Sequence, residues 1–213
     1  MFSIDLYLKQ LTGSLLDVFG DRLLYIGLQG SFRRGEAKNN SDIDIMTVLD
    51  DLTAADLYTY RQTVQAIESP HPTCGFICGK AELLCWNPCE ICQVAHETKD
   101  IYGALAPLLP TYTKEDVRRG VQAGVGDLYH AISHSVVHAK GCADTATLAA
   151  AYKTAFYLLQ NLIFLKTGVF CLTKGELTQA VDGMDRQILQ TDPQENPDAA
   201  FSLLFDWCKA TLQ

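Results

Sequence analysis

The sequence is short of long uninterrupted apolar runs, and no membrane-spanning segment is expected from it. Its longest nearly apolar stretch, Ala155 to Leu165, is interrupted by Gln160 and Asn161 and falls short of the ~20 residues a spanning helix needs. The N-terminus has Asp5 inside its first apolar stretch and lacks the basic head and small-residue cleavage site of a secretory signal. The expectation is a soluble cytoplasmic protein with no membrane partner. Positive charge is in deficit: 17 Lys and Arg against 25 Asp and Glu give a net charge of −8. That balance argues against a broad phosphate-binding surface, so no duplex nucleic acid is expected as a partner and any polyanion held is small. There is no internal repeat and no low-complexity tract.

What is present is enough for a large core. With 213 residues, 48% of them hydrophobic and 20% charged, the chain can bury one large core or two of about 100 residues each. Ile4, Leu8, Leu11, Leu15 and Phe19 recur at helical spacing, and Gly20-Asp21 ends that segment. Leu23 to Leu28 reads as a buried strand running into Gly30-Ser31, and Ser41 to Leu49 as a second strand. Leu52 to Ile67 predicts a helix with Leu52, Leu57, Tyr60 and Val64 inward, broken by "ESPHPTCG". Phe76 to Cys78 predicts a third short strand and "AELLCW" a helical turn, while Cys89 to Thr98 fits helix or strand equally. The prolines of "PLLPTYT" mark a linker, which places a boundary near residue 110.

Everything beyond the linker reads as helix. Thr113 with Asp116 and Thr173 with Glu176 have the form of capping boxes, and Asn196-Pro197 supplies an N-cap followed by proline. Thr145 to Lys166 is apolar on nearly all sides, as the central helix of a bundle would be, and Gly168 can close it.

The stretch "GSFRRGEAKNNSDIDI", Gly30 to Ile45, carries the chemistry. Alternation along a strand sends Asp42 and Asp44 to one side and Ile43 and Ile45 into the core. Two adjacent carboxylates repel unless cations bridge them, and paired divalent ions do so in two-metal phosphoryl-transfer sites. Mg²⁺ suits such a site because it takes few carboxylates together with phosphate oxygens. Gly30 lets backbone approach a phosphate, and the Ser31 hydroxyl can donate to one. Arg33, Arg34 and Lys38 lie close enough in sequence to neutralise a triphosphate.

These residues resemble the signature of the DNA polymerase β-type nucleotidyltransferase superfamily, in particular its small bacterial minimal and antibiotic nucleotidyltransferases. The similarity is close over residues 22 to 51 of "LQGSFRRGEAKNNSDIDIMTVLDD" and its flank, and loose over the first 110. It implies an α+β (mixed α/β) nucleotidyltransferase domain over residues 1–110, followed by an all-α helical bundle over 111–213 that resembles acceptor-binding domains of kanamycin-type and lincosamide-type enzymes. The activity implied is Mg²⁺-dependent transfer of a nucleoside monophosphate from an NTP to a hydroxyl of a small antibiotic-like molecule or a protein, with release of pyrophosphate. By position, Gly30 and Ser31 would hold the triphosphate, Asp42 and Asp44 would ligate two Mg²⁺ ions, and Arg34 would support the phosphate loop. Many relatives pair around one cleft, so the resemblance also admits a homodimer.

One departure stands out. The family's third carboxylate, a metal ligand or general base on the next core strand, has no counterpart in "GFICGK". Glu82, Glu90 and Glu97 are the candidates. Glu90 is preferred as base, because an acid flanked by Cys89, Ile91 and Cys92 is expected to be partly buried with a raised pKa. The alternative is a nucleotide-binding or interaction module that keeps the fold without full catalysis.

Two other patterns compete. Cys74, Cys78, Cys85, Cys89 and Cys92 suggest zinc, yet their spacings of x3, x6, x3 and x2 form no regular pair of knuckles, and free cysteine also serves as a small buried hydrophobe. His130, His134 and His138 form a helical stripe opposite Val117, Val121, Leu128 and Ile132, either solvent-facing or a ligand set. No R-x-x-x-x-H occurs, which argues against a helical nuclease reading of the bundle. Trp86 and Trp207 read as core or interface anchors.

Overall fold

The structure is a computed structural model that describes residues 2–138 and 145–213. It divides into two compact units, Met1–Trp86 with Val94–Thr111, and Asn87–Gln93 with Tyr112–Gln213. A single division between 110 and 111 therefore misses the short segment 87–93, which packs with the helices that follow.

The first unit is built in the order α1 (Ile4–Phe19), β1 (Leu23–Gln29), α2 (Gly30–Arg34), β2 (Ile43–Leu49), α3 (Ala54–Gln65), β3 (Thr73–Gly79) and α4 (Lys80–Leu84). It is completed by the end of α5 (Pro88–Glu97) and by β4 (Lys99–Tyr102). The four strands form one mixed sheet in the order β3-β2-β1-β4, with β1 antiparallel to both β2 and β4 and β3 parallel to β2. Ser3 caps α1 by accepting the Leu6 N–H, and the apolar stripe Tyr7, Leu8, Leu11, Leu15 and Phe19 is buried against Ile26, Leu28, Ile43, Ile45 and Leu49 of the sheet. Burying such a side chain is worth ~1.5–3 kcal/mol, so this stripe fixes the helix on the sheet.

Local signals account for most of these elements and explain the differences. The third strand is longer than Phe76 to Cys78, because it begins at Thr73 inside the Pro- and Gly-containing segment that reads as a breaker. Cys89 to Thr98 is mostly helix, and "KDIY" is a strand that its charged start conceals. Leu52, just ahead of α3, and Tyr60 and Val64 within it do pack on the core, but Leu57 is exposed; the residue of α3 that is buried is Asp56. Asp56 makes a capping box with Thr53 and receives two hydrogen bonds from Arg22, at 3.1 and 2.6 Å.

The second unit contains α6 (Lys114–His138), α7 (Thr145–Thr167), α8 (Lys174–Ala180), α9 (Gly183–Gln190) and α10 (Pro197–Leu212). The expected caps are present: Thr113 pairs with Asp116, Thr173 with Glu176, and Asn196 accepts the Ala199 N–H. Gly168 ends α7 by donating to Phe164. By length and composition α7 could cross a membrane, yet Leu148, Ala151, Ala155, Leu159 and Ile163 lie in the core of the helical unit. Its buried amides Gln160 and Asn161 both meet Gln93, which donates to Gln160 at 2.7 Å and accepts from Asn161 at 3.1 Å, while Oδ1 of Asn161 is left without a hydrogen-bond partner among the described residues. Gln160 also donates to the Cys171 carbonyl at 2.7 Å. Unpaired amides would be costly there, and this network, with Cys89 and Cys92 in the same apolar cluster, ties segment 87–93 to the helical unit.

The Arg22 hydrogen bonds, aided by the Thr53 N–H and hydroxyl, hold the Asp56 carboxyl well below its ordinary value of 3.8. A depressed native value means that the stabilisation is present above that pH and is lost as pH falls through the native value. Asp56→Asn should lower the thermal midpoint at neutral pH, with a gap from wild type that closes as the solution is acidified below about pH 4. A gap of constant size across that range would contradict the ion-pair account.

Candidate active site

The site begins where β1 gives way to α2. Gly30 is the first residue of this short helix, buried, with φ 65. A Cβ on Gly30 would lie 1.8 Å from Oδ2 of Asp44. Glycine is therefore required twice, once for a left-handed backbone and once to admit the carboxylate. The Gly30-Ser31 turn and the Asp-x-Asp edge, read from sequence as two halves of one site, are in direct contact.

Strand β2 and the residue just before it supply the carboxylates, Asp44 and Asp42. Ile43 and Ile45 are fully buried, whereas Asp42 and Asp44 are half-exposed on the other side of the alternation. In the parallel ladder Asp44 stands opposite Cys74 of β3. Directly opposed residues project to the same side, and the ligand atoms of Asp42, Asp44 and Cys74 all lie within 4.8 Å of one another. Among the described residues this is the one group of three or more His, Cys, Asp or Glu side chains so disposed. Two carboxylate oxygens and a sulfur at this separation fit a divalent cation; Cys74 is the member that the sequence reading leaves out. Its strand start was hidden in the breaker segment, and only the register of β3 on β2 brings it to Asp44.

The edge is held from several directions. Tyr7 of α1 is hydrogen-bonded to Thr73 at the start of β3. His71 pairs through Nδ1 with the Ser41 carbonyl at 2.8 Å, and its ring packs against Phe2 and Phe32, each with a centroid separation of 5.0 Å. The chain ahead of Asp42 is closed by Ser41, whose N–H donates to Lys38 and whose hydroxyl accepts the Lys38 N–H.

The basic residues divide. Arg34 donates to Glu36 at 2.9 Å and to Glu97, a nearly buried carboxylate. It is thus a brace for α2, its charge matched from within the protein. Arg33 has a buried Nε with no hydrogen-bond partner, and Lys38 is exposed. These two retain donor capacity near the turn.

The candidates for a third acid do not join this group. Glu97 is engaged with Arg34. Glu82 lies by Gly79, five residues along β3 from Cys74, about 16 Å at the usual strand rise. Glu90 belongs to the helical unit and is exposed, which corrects the expectation that its neighbours bury it. A helix turns about 100° per residue, so Cys89, Ile91 and Cys92 can enter the core while Glu90 points outward.

The other cysteines and the histidines also separate. Cys78, Cys89 and Cys92 are buried, and Cys74 and Cys85 are exposed; among the described residues only Cys74 of these five belongs to a group of three or more potential metal ligands. His130, His134 and His138 form an exposed stripe with ring centroids 6.1 and 4.5 Å apart, opposite the buried Val117, Val121, Leu128 and Ile132. Trp207 is a core residue donating to Asp185 at 2.8 Å, whereas Trp86 stacks on Phe76 at the surface. The helical unit holds a cavity of about 580 Å³ lined in part by Arg118, Gln122, Lys166, Asp185 and Trp207, a volume suited to a small molecule.

Residues 10–77 match the family model for the nucleotidyltransferase domain, which covers β1, α2 and β2 and most of β3. Among solved structures, the fold is similar to that of a spectinomycin adenyltransferase, AAD(9), from Enterococcus faecialis, determined with ATP and spectinomycin; the TM-score is 0.60 at 16% identity, over 95% of this chain and 98% of that one. No curated protein sequence matches significantly.

Burial separates the thiols chemically. It pushes Cys78 and Cys208 up to about 11 and Cys89 up to about 12, and a protonated buried thiol is a poor nucleophile. Iodoacetamide at neutral pH should label Cys74 and Cys85 in the folded protein and reach Cys78, Cys89, Cys92 and Cys208 only after denaturation. Peptide mass mapping reads this directly, and slow labelling of Cys74 relative to Cys89 would contradict the arrangement of β3.

Proposed function

We propose that this chain, whose residues 10–77 match the nucleotidyltransferase-domain model, transfers a nucleoside monophosphate from an NTP to a hydroxyl of a small-molecule acceptor and releases pyrophosphate. The observation that carries this reading is the contact between Gly30 and the Asp44 carboxylate. It brings a turn suited to phosphate against an edge suited to cations.

In this reading Ser31 donates its hydroxyl to a phosphate oxygen, and Arg33 and Lys38 offset the triphosphate charge. Asp42 and Asp44 would hold the divalent cations, Mg²⁺ by the family resemblance, and such ions would supply charge neutralisation to the reacting phosphate. Arg34, paired with Glu36 and Glu97, ties α2 to the end of α5. Positioning and charge neutralisation supply most of the catalysis in phosphoryl transfer, so an edge that no third acid joins among the described residues is compatible with turnover. A small hydroxyl-bearing acceptor of the antibiotic type is supported by the likeness to an enzyme crystallised with ATP and spectinomycin and by the cavity within the helical unit.

Incubation with labelled NTPs, Mg²⁺ and a panel of hydroxyl-bearing compounds should release pyrophosphate in an acceptor-dependent manner. Asp42→Ala should reduce that rate by about a hundredfold or more with an unchanged thermal midpoint. Saturable NTP binding with no turnover on any acceptor would instead identify a nucleotide-binding module. Gly30→Ala should lose activity and also about 1–3 kcal/mol of stability, because it combines a strained backbone with displacement of Asp44. Full activity in either variant contradicts the assignment.

A further inference from the structure

We propose that Cys74 is the third protein donor of the cation site at Asp42 and Asp44, and that the site therefore takes sulfur-binding divalent cations, Zn²⁺ or Co²⁺, in preference to Mg²⁺. This rests on the reading of the Asp-x-Asp edge as a cation site and changes which ions that site selects.

Three observations support it. The first is placement: the β2–β3 register sets Cys74 beside Asp44, and Sγ lies within 4.8 Å of the carboxylate oxygens of both aspartates. Ligands around one ion at metal–sulfur and metal–oxygen distances of about 2.0–2.3 Å lie within that reach of each other. The second is exposure. Cys78, Cys89, Cys92, Cys171 and Cys208 are buried, whereas Cys74 and Cys85 are exposed, and of these two only Cys74 lies with the carboxylates. Packing explains the former set and does not explain Cys74. The third is support. Gly75, at φ 112, has its Cα so close to β2 that a Cβ would lie 2.0 Å from the Ile45 carbonyl oxygen, and Thr73 is bonded to Tyr7. Both flanking residues pin β3 to its neighbours, so Cys74 is held at Asp44 by its own strand.

The chemistry follows from donor type. A carboxylate pair alone suits hard ions such as Mg²⁺, and a thiolate added to it favours softer ones. On binding, the thiol gives its proton to solvent as the sulfur–metal bond forms, and no oxidation or reduction is involved. The other acids of this unit considered above leave the position to sulfur, since Glu97 is paired with Arg34 and Glu82 sits at the opposite end of β3.

The test is a titration of the full-length protein with Co²⁺, without nucleotide, read by absorption. Thiolate ligation produces a sulfur-to-cobalt charge-transfer band in the near ultraviolet that carboxylate or imidazole ligation does not, so binding at the exposed histidine stripe cannot imitate it. The expected result is a band that saturates at one Co²⁺ per chain, persists in Cys85→Ser and disappears in Cys74→Ser. By calorimetry, Cys74→Ser should weaken Zn²⁺ by about tenfold or more, and Cys74→Asp should turn the preference toward Mg²⁺. If Co²⁺ binds in a manner abolished by Asp42→Asn yet gives no band, or if the band survives Cys74→Ser, the sulfur donor is overturned while the cation site stands. If no divalent ion binds in an Asp42-dependent manner, the cation site itself fails and the sulfur donor with it.

Discussion

The absence of one carbon atom at Gly30 is the constraint on which the site depends. The Asp44 carboxylate occupies the space that any side chain would fill, at 1.8 Å from the position of a Cβ. Two features that would otherwise be unrelated, a turn after one strand and an acidic edge on the next, are thereby made into a single surface. Their antiparallel pairing keeps them in step, because Gln29, the last residue of β1, stands opposite Asp44 in the ladder.

Much of the surrounding structure can be understood as support for that contact. The apolar stripe of α1 holds the sheet, and Tyr7 reaches the first residue of β3. His71 fixes the chain at Ser41 while packing against Phe2 and Phe32. Arg34 fastens α2 to Glu97 near the end of α5. Each interaction joins segments distant in sequence. Each also leaves Asp42, Asp44 and Ser31 at the surface, where a ligand can reach them.

Legibility in the sequence followed the range of the interactions. The opening helix, the first two strands, the helix caps at Thr113, Thr173 and Asn196, and the grouping of Gly30, Ser31, Asp42 and Asp44 were all readable, because alternation, capping and glycine usage act over a few residues. Cys74 was not readable, since its position depends on parallel pairing across some thirty residues and its strand begins in a segment rich in turn signals. Glu90 is exposed although Cys89, Ile91 and Cys92 beside it are buried, because residues adjacent in sequence face different ways on a helix. Gln160 and Asn161 were visible as interruptions of an apolar run. Their meaning lies in Gln93, whose side chain hydrogen-bonds to both and accounts for a unit boundary that the linker composition does not mark.

The account makes the Gly30–Asp44 contact the place where nucleotide and cation meet. A crystal structure with a non-hydrolysable NTP and Mn²⁺, located by its anomalous scattering, tests this most directly. The account predicts cation density between the Asp42 and Asp44 carboxylates, with the triphosphate lying over Gly30 and Ser31. A triphosphate bound elsewhere on the chain, or a cation held by acids other than these two, would contradict it.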